Sequence, residues 1–303
     1  MKIRAVSDLH IDINRRAPLR LSDDVFTVVA GDICGSPEGT AKWAESNIKH
    51  GAFISGNHDV YDTSMPIESI KKMLSLKFPE SGEVTYLDND IGCISKEIGE
   101  NVLLIGDVMY TDYSFKCGRS LYSNDPVNDN MYMADPVRNF SRGGMNDFNY
   151  GLCMKHFPGK NDRVCGADGS HRLVPEYYLE HFISAFEAVN ELVEKNPSKD
   201  IMLVTHHCLS KKCISSDYVS DRLNASYVTD KDKWILAHPN IKVIVSGHVH
   251  HKAEFKVGDT LYVMNPLGYY CWERHDTAFE LDDCLIDTST WTAEWKKNAL
   301  KCG

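Results

Sequence analysis

Aspartate, asparagine and histidine recur in five short segments of this chain, and each segment follows an apolar run. Asp8-Leu9-His10 comes first, then Gly31-Asp32, Gly56-Asn57-His58-Asp59, His206-His207 and Gly247-His248-Val249-His250. Oxygen and imidazole donors without thiolate suit manganese, iron, zinc or nickel better than copper(I). Two divalent ions about 3.5–4 Å apart need a shared oxygen ligand to damp their repulsion, and an aspartate can bridge them. Asp32 fits that role. Between such ions a water loses its proton near neutral pH and can attack phosphorus in line while the cations neutralise the phosphoryl oxygens. That chemistry needs no covalent protein intermediate.

The segments are far apart in sequence, so a fold has to gather them. Short apolar runs predict buried strands at Ile3–Ser7, Phe26–Ala30, Ala52–Ser55, Val102–Gly106, Ile201–Thr205 and Lys242–Ser246. Helical patterns fall around Gly39–Lys49, Met65–Leu76 and Pro175–Glu194. In the last of these Tyr178, Phe182, Ala185, Phe186, Val189, Leu192 and Val193 repeat at helical spacing, with Pro175 at a first-turn position and Asn196-Pro197 as the stop. Alternating strands and helices predict an α/β fold. A hairpin turning at Gly258-Asp259 and a further strand at Ala278–Asp283 read as antiparallel, which makes a mixed sheet the expectation. In open α/β sheets ligands bind beyond the carboxyl ends of the strands, where all five segments would lie. A glycine ahead of the donor permits a tight turn there, as at Gly31, Gly56 and Gly247.

The chain has 303 residues, 43% of them hydrophobic, enough for a full core without disulfides. Its net charge of -10 argues against gripping duplex nucleic acid by general electrostatics and suits multivalent cations. The start of the chain carries no apolar signal segment and no apolar span long enough to cross a membrane is found, so the expectation is a cytoplasmic protein whose ten cysteines are reduced. Cys208 and Cys213 read as ordinary thiols. Thr111–Leu173 is rich in Asn, Asp, Gly and Arg and lacks a sustained period, which predicts an irregular insertion over the site within one domain spanning residues 1–303. Neither a Gly-x-Ser-x-Gly elbow nor a Walker phosphate loop is present.

Taken together and in order, the five segments resemble the calcineurin-like metallophosphoesterases, whose pattern is Asp-x-His, Gly-Asp, Gly-Asn-His-Asp or -Glu, His, and Gly-His-x-His. The resemblance spans Asp8 to His250. It implies a four-layer α/β/β/α sandwich of two mixed β-sheets flanked by helices. It also implies two divalent metal ions, manganese first among them, with Asp8, His10 and His250 on one, Asn57, His206 and His248 on the other, and Asp32 bridging. His58 is then the group that protonates or stabilises the leaving oxygen, with Asp59 orienting its imidazole. The implied activity is a metal-dependent phosphoric ester hydrolase, acting on phosphodiesters or phosphomonoesters by attack of a metal-bridging hydroxide.

Tyr61, Asp112, Arg142, Asn146 and His207 are further candidates for contact with a substrate, and Asp147 could stand with Asn146 at the mouth of the site. The blocks "SDLHID", "GNHDVY", "MYTDYS", "MNDF" and "THHCLS" look like a bacterial and phage group within that family. The protein serine/threonine phosphatases of the family extend Gly-Asp with a phosphate-binding arginine, whereas Gly31–Gly39 reads GDICGSPEG, which lowers that reading. A metal-dependent nuclease and a non-catalytic scaffold could also be built on the same fold. The acidic balance weighs against the nuclease, and the intact His58 against the scaffold.

Overall fold

Residues along each predicted strand alternate between two cores, and this alternation explains the layering. A computed structural model of the chain describes residues 1–14, 25–62, 64–116, 125–139, 143–149, 152–154, 171–269 and 284–295. Strands β1 (Lys2–Val6), β2 (Phe26–Ala30), β3 (Gly51–Ile54) and β4 (Val84–Tyr86) run parallel in one sheet. The sheet continues past β1 into two antiparallel strands formed near the end of the chain, Cys284–Asp287 and Thr292–Trp295.

In the second sheet β5 (Ser95–Ile98) pairs antiparallel with β6 (Val102–Asp107). A separate two-stranded ribbon, β7 (Cys153–Met154) with β8 (His171–Arg172), lies within the Thr111–Leu173 segment. The second sheet then continues through β9 (Asp200–Thr205), β10 (Ile241–Ser246), β11 (Ala253–Val257) and β12 (Thr260–Met264), in the order β11-β12-β10-β9-β6-β5. The expected hairpin is present as β11 and β12. The two terminal strands of the first sheet are β13 (Cys284–Asp287) and β14 (Thr292–Trp295). The strand expected at 278–283 lies outside the described residues.

Ile3, Ala5, Val28, Ala30, Ala52 and Ile54 of the first sheet face Leu104, Met202, Val204, Val243, Val245 and Val263 of the second in one shared core. Their neighbours point the other way. Val6, Val29 and Phe53 pack under helices α1 (Pro37–Asn47) and α2 (Ile67–Lys77). Ile105, Ile201, Leu203 and Ile244 belong to the outer core of the second sheet. Both faces of each sheet are therefore covered, which is why the strands read as continuous apolar runs. The result is the expected α/β/β/α sandwich.

Helix α1 starts where the Ser36 hydroxyl accepts the Gly39 N–H at 3.2 Å, with Pro37 in the first turn. A short helix, α3 (Pro126–Ala134), lies within the Thr111–Leu173 segment. Helix α4 (Pro175–Lys195) buries Phe182, Ala185, Val189 and Val193 on the outer face of the second sheet. Each large apolar side chain buried there contributes about 1.5–3 kcal/mol, so a charge at Val189 would unseat the helix. The short helices α5 (Asn224–Tyr227) and α6 (Asp232–Ala237) lie between β9 and β10. Among the described residues no helix is long and apolar enough to cross a membrane.

Candidate metal centre

The strand ends converge because hydrogen bonds stitch one loop to the next. Asp8 N–H donates to Gly31 O at 2.9 Å, and His10 N–H to Asp32 O at 3.1 Å, joining the loops after β1 and β2. Gly247 N–H donates to His206 O at 3.1 Å, joining those after β9 and β10. The loop after β12 crosses between the sheets, its Gly268 N–H donating to Asp8 O at 3.0 Å.

Turning donor side chains inward strains the backbone. Asp8, His10, Asp32, His248 and His250 all take positive φ, from 42° to 71°. For residues with a Cβ this left-handed region costs on the order of 1–3 kcal/mol each, and such outliers persist only where surrounding structure fixes them. Gly56 is required for a different reason. A Cβ there would stand 2.0 Å from Asp32 Oδ1 and 2.7 Å from Asp32 N, so only glycine lets the third loop lie against the second.

The gathered side chains form three overlapping groups of donor atoms, each lying within 4.8 Å of one another: Asp8, His10 and His250; Asp32, His206 and His248; and His10, Asp32 and His58, which links the other two. Asp32 reaches toward both, with Oδ2 3.7 Å from His10 Nε2 and 3.4 Å from His206 Nε2. His10 Nε2 and His250 Nε2 face each other at 3.0 Å, and His250 Nε2 lies 3.4 Å from Asp8 Oδ1. Asn57 Oδ1 lies 3.1 Å from His206 Nε2. All seven residues that the sequence nominated as ligands thus meet in one place.

Whether a cation fits there can be tested on the polar atoms themselves. Asp8 Oδ2 and His248 Nε2 are buried with no hydrogen-bond partner, an expensive state in a folded protein unless another ligand is bound. Burial holds the His10 imidazole down to about 4, outweighing the pull of Asp32 and Asp8. Burial and the neighbouring imidazoles His207 and His206 also hold His248 well below the ordinary histidine range. Both are therefore neutral, the form that ligates metals. Burial also disfavours a charge on His206, yet Asp32 and Asp8 overcome it and lift that imidazole to about 9. The His206 Nδ1 proton goes to Ala30 O at 2.8 Å, which leaves Nε2 turned to the centre. The donor set fits divalent cations.

His58 stands at the edge of this cluster. Its backbone N–H donates to Asp32 Oδ1 at 2.8 Å. Its ring stacks on Tyr61, centroids 4.4 Å apart and planes 26° from parallel, and meets His10 edge-on at 4.8 Å. Its Nε2 lies 3.3 Å from the Tyr269 hydroxyl. Tyr269, whose ring also lies 4.6 Å from that of His10, had no signal in the sequence beyond a Gly-Tyr pair after an apolar run.

Asp59 corrects an expectation. It does not orient the His58 imidazole. Its Oδ2 accepts the N–H groups of Asp32 at 2.6 Å and Gly56 at 2.8 Å, while Oδ1 accepts those of Ile33 and Cys34 and the Thr40 hydroxyl. Adjacent residues in the 3-10 turn His58–Val60 point in different directions, so sequence adjacency gave the wrong partner. Burial and the nearby Asp32 push its carboxyl up to about 6, against the downward pull of those donors.

The softer candidates separate in the same way. Tyr61 is at the site, its hydroxyl donating to Asp147. His207 is buried against His248, ring centroids 4.1 Å apart, and against Tyr110 and Tyr178, which places it in the core behind the centre and not at a substrate-facing position. Asp112 is turned to Lys231 Nζ at 3.0 Å and to the Ser114 N–H at 2.9 Å, away from the ligand set. Asn146 is exposed, and its neighbour Asp147 is the residue that reaches inward. Arg142 lies outside the described residues.

Comparisons with known proteins bear on the family and the fold. The sequence profile of the calcineurin-like phosphoesterases matches residues 1–252. No curated protein matches the sequence significantly. Among solved structures, the phosphopantetheinyl hydrolase PptH from Mycobacterium tuberculosis superposes with a TM-score of 0.68 at 17% identity, covering 98% of this chain and 95% of that one. The protein TT1561 of Thermus thermophilus superposes with a TM-score of 0.46 at 13% identity, covering 97% and 96%.

Proposed function

This chain belongs to the calcineurin-like phosphoesterase family of metal-dependent phosphoric ester hydrolases, and on that premise we propose that it works through a dinuclear centre bridged by Asp32. Asp8, His10 and His250 would hold one cation, and Asn57, His206 and His248 the other. The observation that carries this reading is the position of the Asp32 carboxylate, whose Oδ2 lies 3.7 Å from His10 and 3.4 Å from His206 and so addresses both donor groups at once.

Bound there, divalent ions, with manganese the expected metal, supply an acidic water for attack on phosphorus and neutralise charge on the phosphoryl oxygens. The protein's own part lies in orientation and proton transfer. Asp32 fixes the His58 backbone through its Oδ1, and the Tyr61 ring fixes the plane of the imidazole. His58 holds a proton at Nε2 and passes it to the leaving oxygen. In the free protein that nitrogen is hydrogen-bonded to Tyr269, so an entering ester oxygen takes the place of the phenol. The substrate is a phosphodiester or a phosphomonoester.

The test is a reconstituted assay. Metal-stripped protein loaded with Mn2+ is offered bis(p-nitrophenyl) phosphate, p-nitrophenyl phosphate, cyclic nucleotides, single-stranded DNA, a phosphopeptide and, given the fold of the Mycobacterium tuberculosis phosphopantetheinyl hydrolase, a phosphopantetheinyl ester. Turnover of at least one ester that needs two equivalents of metal supports the reading. A loaded protein inert on the whole panel speaks for a scaffold.

A further inference from the structure

Asn57 is gripped at both ends of its amide. Its Oδ1 faces His206 at 3.1 Å, and its Nδ2 donates to Asp147 Oδ1 at 2.9 Å and, at the longer distance of 3.4 Å, to the Tyr61 hydroxyl. An amide has one accepting end and one donating end, so the partner of the donating end decides which atom is offered to a site. A carboxylate offers only acceptors, and Asp147 therefore selects the orientation that presents the carbonyl oxygen inward.

Asp147 is itself held apart from any cation. It is 1% exposed. The Tyr61 hydroxyl donates to the same oxygen as Asn57, and the Tyr178 hydroxyl donates to Oδ2 at 3.1 Å. Among the described residues no lysine or arginine pairs with it. Its turn, Asn146–Phe148, is anchored independently of the centre: Met145 N–H donates to Ala134 O at 2.8 Å, and Arg172 reaches Phe148 O at 3.1 Å and Asp135 Oδ2 at 2.8 Å. A buried carboxylate satisfied only by neutral donors polarises each of them, and the Asn57 amide transmits that polarisation to its carbonyl oxygen.

We propose that Asp147 is a positioning residue of the metal centre, which fixes the Asn57 amide with its oxygen inward and thereby raises cation affinity. The inference rests on the reading of Asn57 as a ligand. It makes the insertion between β6 and β9 a working part of the centre as well as a cover, because its buried carboxylate completes a site whose ligands all lie elsewhere in the chain.

The experiment is calorimetric titration of metal-stripped full-length protein with Mn2+, together with the unfolding temperature of each metal-free variant. Outer partners of metal ligands are worth about 10–100-fold in affinity, and Asp147→Leu is expected to weaken one of the two Mn2+ equivalents by that factor. Asp147→Asn can still accept from Asn57 through its carbonyl and stays within a few-fold of native. In an Asn57→Ala background Asp147→Leu adds less than about twofold, since residues that act through one another are non-additive. Native affinity in Asp147→Leu, or an undiminished loss in the Asn57→Ala background, overturns the proposal.

Should Asp147→Leu fail to fold, the native protein supplies a second readout. The side-chain NH2 protons of Asn57 exchange slowly by NMR if Asp147 holds them, and exchange at the rate of an exposed amide overturns the proposal. That measurement needs no metal. A native protein that binds fewer than two equivalents therefore contradicts the dinuclear reading without touching the Asn57–Asp147 contact.

Discussion

The Asp59 carboxylate accepts the backbone N–H of Asp32 at 2.6 Å, so the residue two places after Asn57 holds the loop that carries the aspartate proposed as the bridge. Four N–H groups and the Thr40 hydroxyl converge on that one carboxylate. Removing it strands buried donors, each costing about 1–3 kcal/mol when left unpaired. Asp59→Ala is expected to lower the stability of metal-free protein by roughly 3–5 kcal/mol and to abolish metal binding, as read by denaturant unfolding and metal analysis. An Asp59→Ala protein with native stability, intact metal content and only a reduced turnover would restore the imidazole-orienting role.

Gly56→Ala tests the close approach of two loops. The added methyl meets Asp32 Oδ1 at 2.0 Å, and the carboxylate has to move. Metal content after dialysis is expected to fall from two equivalents to one or none, with the circular dichroism of the fold retained. Two tightly held equivalents in this variant would show that Asp32 tolerates displacement, against the bridging role.

His58→Asn removes the group that faces Tyr269 but none of the proposed ligands. Metal content is expected to stay native. Turnover of esters with poor leaving groups should drop about 10²–10⁴-fold, and that of p-nitrophenyl esters much less, because a good leaving group needs little proton transfer. Equal losses on both kinds of ester would remove His58 from the acid role.

A buried ionic cluster lies apart from the proposed ligands. Lys71 Nζ lies 3.0 Å from Asp88 and 2.6 Å from Asp90, with His181 Nε2 at 2.8 Å, Asp107 beyond the histidine and the rings of Tyr86 and Tyr110 nearby. Burial raises the Asp88 carboxyl even beside Lys71, and removing the ammonium raises it further. Lys71→Met is expected to cost roughly 3–5 kcal/mol near pH 8. A carboxyl whose folded pKa exceeds its unfolded one takes up its proton more readily in the folded state, so the cost shrinks as pH falls toward 5. Chemical denaturation at the two pH values checks this, and a penalty that grows on acidification would contradict it.

The sequence made the ligands legible because each follows a β-branched run and a tight turn, features that survive without knowledge of packing. Asp8, Asp32, Asn57, His206 and His248 could be placed in this way. Tyr269 could not, since its partner lies 211 residues away, and Asp147, read as a residue at the mouth of the site, gave no sign of its contact with Asn57 90 residues away, because no local spacing encodes such contacts. Asp59 misled for the opposite reason: it adjoins His58 in sequence while its side chain turns into the loop behind. Strand β5, with the sequence SKEI on a sheet edge, carries too little apolar patterning to be seen. His181 of α4 is buried and closes the Lys71 cluster, a contact that the sequence does not signal, because helical periodicity reports which face is buried and not what it meets.

Anomalous diffraction from crystals grown with Mn2+ tests the central claim most directly. The account predicts two peaks about 3.5–4 Å apart, one among Asp8, His10 and His250, the other among Asn57, His206 and His248, with the Asp32 carboxylate touching both. A single peak, or two peaks of which Asp32 touches only one, would contradict it.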